Sequence, residues 1–114
     1  MGKKNRRWKH ANFVALPREW FHKSNCPEWK ALSAAAKLLY EYLKAGWNGS
    51  NNGQITLHYS QLRGVKGISS SSTISKAFKE LEQTGWINKS ALGGLYRKTN
   101  QYELTGKHDP YLQG

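Results

Sequence analysis

The sequence predicts an α+β fold: three main helices, an N-terminal helical segment before them, and a small antiparallel β-sheet towards the C-terminal end. Three observations lead there. Apolar residues recur at helical spacing through residues 32–43 and again through 74–81, the stripe that an amphipathic helix turns to a core. A serine run, Ser69 to Ser72, precedes the second stripe and Gly85 follows it, which are start and stop signals for a helix. Beyond Gly85, two short alternating segments flank a basic, glycine-containing stretch, the order of a two-stranded ribbon.

Residues 1–12 read as a flexible basic arm, because Lys3, Lys4, Arg6, Arg7 and Lys9 occur there without an acid, too charged to pack. Residues 13–105 read as one domain and 106–114 as a polar tail. Within the domain, Phe13, Leu16, Trp20, Phe21, Trp29 and Leu32 supply apolar bulk, and Pro17 suits the first position of a short helix, PREWFHK. Pro27 is expected to break the chain after it. Ser33 is a candidate N-cap for a helix from Ala34 to about Gly46. Leu32, Ala35, Ala36, Leu39, Tyr42 and Leu43 share its inner face, with Lys37, Glu41 and Lys44 on the outer one.

The segment GWNGSNNGQITL starts with turn-forming Asn and Gly and ends in a β-prone stretch, residues 54–57. A second, shorter helix is expected from about Tyr59 to Val65, burying Leu62; His58 is a weak cap for it and Gly67 turns the chain afterwards. The third helix buries Ile74, Ala77, Phe78 and Leu81 and presents Ser72, Ser75, Lys76, Lys79 and Gln83 on its opposite side. Residues 86–89 then read as one strand and 99–104 as its partner, with SALGGLYRK as the tip between them.

Charge points to the partner. Eighteen Lys and Arg against seven Asp and Glu give a net charge of +11, which suits a phosphate polymer. No apolar run reaches the roughly 20 residues needed to span a bilayer, so no membrane association is expected. The start has no apolar stretch of signal-peptide type. With a single cysteine, Cys26, a reducing, cytoplasmic setting is the expectation.

Enzymatic chemistry and a bound cofactor are not expected. Asp109 is the only aspartate, and His10, His22, His58 and His108 are scattered without a paired nucleophile or carboxylate. His22 and Cys26 are four apart, but two ligands do not make a zinc site. The NGSNNG stretch lacks the lysine and hydroxyl of a phosphate-binding loop.

A helix that enters the major groove needs short polar and cationic side chains near its N-terminus, where backbone N–H groups also favour phosphate. Residues 69–79 have that character, and no Asp or Glu occurs from Tyr42 to Lys79. Arg63 and Lys66, with Lys3, Lys4, Arg6 and Arg7 of the arm, are candidates for further phosphate contacts. Lys89, Arg97 and Lys98 flank the Gly-Gly tip, where backbone can approach a phosphate closely. Leu92, Leu95 and Tyr96 at the tip are not explained by phosphate contact and are candidates for a protein partner.

The order of these elements, with GISSSSTISKAFKELEQTGWI at its centre, resembles the winged helix-turn-helix superfamily of DNA-binding domains. More narrowly, LPREWF, ALSAAAKLLYEYL, NGSNNGQI and YELTG in that order are similar to small helix-turn-helix proteins of phages and plasmids. The resemblance implies binding of double-stranded DNA in transcription regulation or replication of a mobile element. By position it assigns Ser70, Ser71, Ser72, Thr73, Ser75, Lys76 and Lys79 to a recognition helix, which the outward Gln83 extends, and Lys89, Arg97 and Lys98 to a wing. No long terminal helix for dimerisation is present, so the resemblance points to a monomer or weak dimer.

Two other readings fit parts of the chain. Five Trp and six Tyr in a basic chain suit single-stranded nucleic acid or RNA. Trp20, Trp29, Tyr42, Trp86 and Tyr102 nevertheless fall on core positions, leaving Trp8, Trp47, Tyr59 and Tyr96 uncommitted. A protein-interaction module would instead use the tip and residues 16–21.

Overall fold

A computed structural model describes residues 14–21, 26–48, 50–91 and 100–109. In chain order these form a 3-10 helix at Arg18–Phe21, helix α1 (Pro27–Lys30), helix α2 (Ala34–Ala45), a second 3-10 helix at Tyr59–Leu62, helix α3 (Ser71–Gln83) and strands β1 (Ile87–Ala91) and β2 (Gln101–Leu104). The fold is α+β, with three α-helices and a two-stranded antiparallel sheet among the described residues. None of these helices is long and apolar enough to cross a membrane.

The two long helices start and stop on local signals. Ser33 caps α2 by accepting from the Ala36 amide at 3.2 Å, and Ser70 caps α3 by accepting from the Thr73 amide at the same distance. At the far end of α3, Gly85 takes φ +83°. The Trp86 amide then reaches back to the Leu81 carbonyl at 2.9 Å and the Gly85 amide to that of Glu82 at 3.2 Å. This pair of bonds closes the last turn and satisfies carbonyls that would otherwise lack partners.

Shorter elements depart from expectation. Pro27 begins a helix where the sequence suggested a break, because proline's missing N–H costs nothing in the first turn. The helix expected over 59–65 is only the 3-10 turn Tyr59–Leu62. Arg63, extended at ψ 128°, leaves helical geometry immediately after it, and Gly64 follows at φ +84°. Strand β1 runs Ile87–Ala91 where 86–89 was expected, and β2 is described from Gln101. The β-prone stretch near Gln54 reduces to a bridge in which Ile55 and Tyr102 exchange two backbone bonds, at 3.2 and 2.8 Å. The Asn52 side chain continues that pairing: its Oδ1 accepts from the Leu104 amide at 2.7 Å and its Nδ2 donates to the Leu104 carbonyl at 2.9 Å.

The core joins every layer. Ile74, Ala77, Phe78 and Leu81 of α3 meet Ala36, Leu39 and Leu43 of α2, closed by Ile87 and Leu104 of the sheet. Around Trp86, the junction of α3 and β1, cluster Trp20 at 5.3 Å between ring centroids, Tyr40 at 5.4 Å and Trp29 at 5.7 Å. Trp20 and Trp29 stack at 4.4 Å, and the Trp20 indole N–H donates to the His108 carbonyl at 3.1 Å. Tyr42, expected in the core, is only partly buried.

Two expectations are corrected at the back of α2. Lys44 was assigned to the outer face, and residues 106–114 to a polar tail. Lys44 and Asp109 are in fact both buried and paired, Nζ to Oδ2 at 2.5 Å. Lys44 also donates to the Ala15 carbonyl at 2.7 Å, and the Tyr40 hydroxyl donates to the same Asp109 oxygen at 2.8 Å. A lysine can turn inward here because two oxygens, Asp109 Oδ2 and the Ala15 carbonyl, meet its ammonium and the first also meets the phenol, so neither charge is buried without a partner. The packed body therefore extends to Asp109.

Candidate nucleic-acid interface

Helix α3 is held from behind by α2 and from below by the sheet, so one side of it remains outward. Ser72, Ser75, Lys76, Lys79 and Gln83 occupy that side, all exposed, at spacings that stack them along one face. Ser70 and Ser71 are exposed at the helix start and Thr73 is half-buried. The Ser70 hydroxyl is committed to the cap, since it also donates to Thr73 Oγ1 at 2.7 Å. The Ser72 hydroxyl lies 3.4 Å from that of Ser70, so Ser71 and Ser75 are the more available hydroxyls. The first turn carries no acid, so nothing on the helix neutralises the positive end of its dipole.

Glu80 of α3 faces elsewhere. Glu80 is half-buried and turned to the start of α2, where its two carboxylate oxygens accept from the Ser33 hydroxyl at 2.7 Å and the Ser33 amide at 2.8 Å. It thereby caps a second helix, and neither Lys76 nor Lys79 is in an ion pair among the described residues.

Other expected contacts fall around this face. Arg63 and Lys66 are exposed on the turns that lead into α3. Lys89 is exposed on β1 and sits opposite Tyr102 in the ladder, as buried Ile87 sits opposite buried Leu104. Side chains two apart on a strand share a face, and Tyr102 stacks on Phe78 of α3 at 4.6 Å. Lys89 therefore leaves the sheet on the side that α3 covers. Lys3, Lys4, Arg6 and Arg7 of the arm, and Leu92, Leu95, Tyr96, Arg97 and Lys98 of the expected tip, lie outside the described residues. So do His10, His22 and Trp8.

No family model, curated protein or solved structure matches this chain. Its surface chemistry has to be read from its own side chains. Among the described residues, no three His, Cys, Asp or Glu side chains gather where they could hold a metal ion. Buried Cys26 has a long contact, 3.8 Å, with Glu28.

One feature of this region escaped the sequence reading. Leu57, His58, Tyr59, Phe78, Asn100 and Tyr102 line a small open cleft of about 200 Å³ beside α3. The Tyr59, Phe78 and Tyr102 rings are nearly parallel, inclined by 14° and 16° in succession. Burial holds the Tyr102 phenol above its ordinary value, with the Asn100 side chain opposing and Glu82 adding to the shift. Tyr59 stood out as an uncommitted aromatic, but its two ring neighbours come from α3 and β2, and no local spacing reveals that.

Proposed function

We propose that the chain is a winged helix-turn-helix protein that binds double-stranded DNA, with α3 in the major groove and the β1–β2 ribbon beside it as a wing. The observation that carries this reading is the outward face of α3: exposed serines, two lysines and a glutamine, with Glu80 drawn away to cap α2. Serine and glutamine can donate to and accept from base edges, and lysine reaches guanine or phosphate. Thirteen residues of α3 make a rod roughly 20 Å long, suited to a groove about 12 Å wide. Behind it, α2 is a rigid support, and the 3-10 turn with Arg63 and Lys66 stands where a full first helix would be.

In this reading Ser71, Ser72, Ser75, Lys76, Lys79 and Gln83 make the central contacts, with Ser70 and Thr73 shaping the helix start. Arg63, Lys66 and Lys89 meet flanking phosphates, joined by Arg97, Lys98 and the arm lysines and arginines. Burial of Trp20, Trp29 and Trp86 favours duplex over single strand, because those rings are closed to stacking bases. A role in transcription regulation or replication of a phage or plasmid follows from the resemblance.

Competition on a labelled random-sequence duplex at about 50 mM salt tests the reading. Unlabelled duplex is expected to displace the protein at lower concentration than the same sequence single-stranded. Absence of duplex binding, or equal displacement by single strands, would overturn it.

A further inference from the structure

We propose that the cleft of Tyr59, Phe78 and Tyr102 holds one unpaired nucleobase of a bound DNA strand, so that the protein marks a bulged, nicked or melted position beside its duplex contact. This rests on the nucleic-acid reading above and adds a ligand to a part of the surface that reading does not use.

The rings form a staircase. Phe78 and Tyr102 are in close contact at 4.6 Å, whereas Tyr59 is displaced from Phe78, 6.5 Å between centroids, and is 46% exposed. An exposed ring parallel to two buried ones presents a ready stacking face. The platform is also stiff. Tyr102 is paired on one edge with Ile55 and on the other with β1, and the turn carrying Tyr59 is braced by the His58 amide donating to Gln61 Oε1 at 2.9 Å. Little ordering is left to pay on binding.

Size and rim chemistry choose the occupant. A space of about 200 Å³ admits a single planar ring system and excludes a base pair. Leu57 is apolar, while His58, Asn100 and the Tyr102 hydroxyl supply polar groups at the margin, the combination that a base needs for its faces and its edge. One cation lies on the cleft side of the sheet, and another follows a cleft residue in sequence but on the outward face of α3. Lys79 follows Phe78 along α3, and Lys89 sits opposite Tyr102 in the ladder. A base on a phosphate chain has a use for Lys89, beside Tyr102 on the same face of the sheet, that a free aromatic metabolite lacks.

Three probes test this with the full chain: a duplex with one central unpaired thymine, the same duplex with an abasic residue at that point, and the fully paired duplex. Stacking of one base is worth roughly 5- to 150-fold in affinity. Fluorescence anisotropy is expected to show the thymine bulge bound about tenfold tighter than the abasic bulge. Tyr59→Ala should erase that difference and leave affinity for paired duplex and the thermal transition unchanged, whereas Tyr59→Phe should retain it. Equal affinity of the wild-type protein for the two bulges, or a preference that survives in Tyr59→Ala, overturns the proposal. A thymine preference without binding to paired duplex would instead overturn the duplex reading and leave the cleft standing.

Discussion

Lys44 and Lys76 are both helical lysines of one basic chain, and their surroundings are opposite. Lys44, on α2, is 3% exposed and fixed between Asp109 and the Ala15 carbonyl, with Tyr40 on the same carboxylate. Lys76, on α3, is exposed and has no ion pair among the described residues, and Lys79 one turn on is the same. The first region turns its polar groups on one another and ties residues near both ends of the described chain to α2. The second leaves donors outward without an ion pair among the described residues. Residue type did not decide which lysine completes the fold and which is left for a partner; the presence of a buried carboxylate did.

The largest effect should come from the clasp. Lys44→Met leaves Asp109 buried without its cation, and stability should fall by about 3–5 kcal/mol, read as a lower midpoint in urea. A loss under about 1 kcal/mol would mean that water reaches the pair. The matching change on the other side, Lys76→Glu with Lys79→Glu, should do the reverse. Duplex affinity should drop by about ten- to a hundredfold, while stability stays within about 0.5 kcal/mol of wild type. If Lys44→Met and the Lys76, Lys79 double change moved stability alike, the contrast between the two regions would be lost.

Smaller changes probe the boundary between them. Ser70→Ala removes the cap that accepts from the Thr73 amide and should cost about 1 kcal/mol, a shift of a few degrees in the thermal transition. Alkaline pH should act on the buried phenols, Tyr40 of the clasp and Tyr102 of β2. Burial, with Asp109 adding to it, holds the Tyr40 phenol well above its ordinary value of 10.0. The unfolded chain therefore ionises first, so the stabilisation is complete below that value and is lost as pH rises beyond it. Lys44 works in the opposite sense, since burial lowers its pKa against the pull of Asp109. For the phenol burial and Asp109 act in the same sense, whereas for Lys44 they oppose each other, so the phenol sets the net direction expected above pH 10.0. Thermal transitions at about pH 8, 10 and 11 should fall over the last interval; a flat profile would place Tyr40 in contact with solvent.

What the sequence revealed was local. Ser33, Ser70 and Gly85 announce the ends of α2 and α3, and Ile74, Ala77, Phe78 and Leu81 announce the buried side of α3, because cap and period are written within one or two turns. The outward set on α3 follows from the same wheel. Hidden from it were partnerships across distance: Lys44 with Asp109, 65 residues apart, and Asn52 with Leu104, 52 apart. A lysine at an outer-face position looks solvated until the carboxylate that meets it is placed. The second helix was overread for a related reason. Leu62 does face the core, but a single buried leucine fits a 3-10 turn as well as an α-helix, and the extended Arg63 ends it before Gly64. The aromatic cleft combines both difficulties, drawing its rings from three separate elements.

The central claim is that α3 presents its lysine face to duplex DNA. Its most direct test is the salt dependence of binding, measured in parallel for the wild-type chain and the Lys76→Glu, Lys79→Glu variant. With about six phosphates engaged, wild-type affinity should fall roughly a thousandfold between about 50 and 200 mM salt, and the variant's logarithmic slope should be shallower by about two. An unchanged slope and affinity in a variant that unfolds like the wild type would remove α3 from the interface.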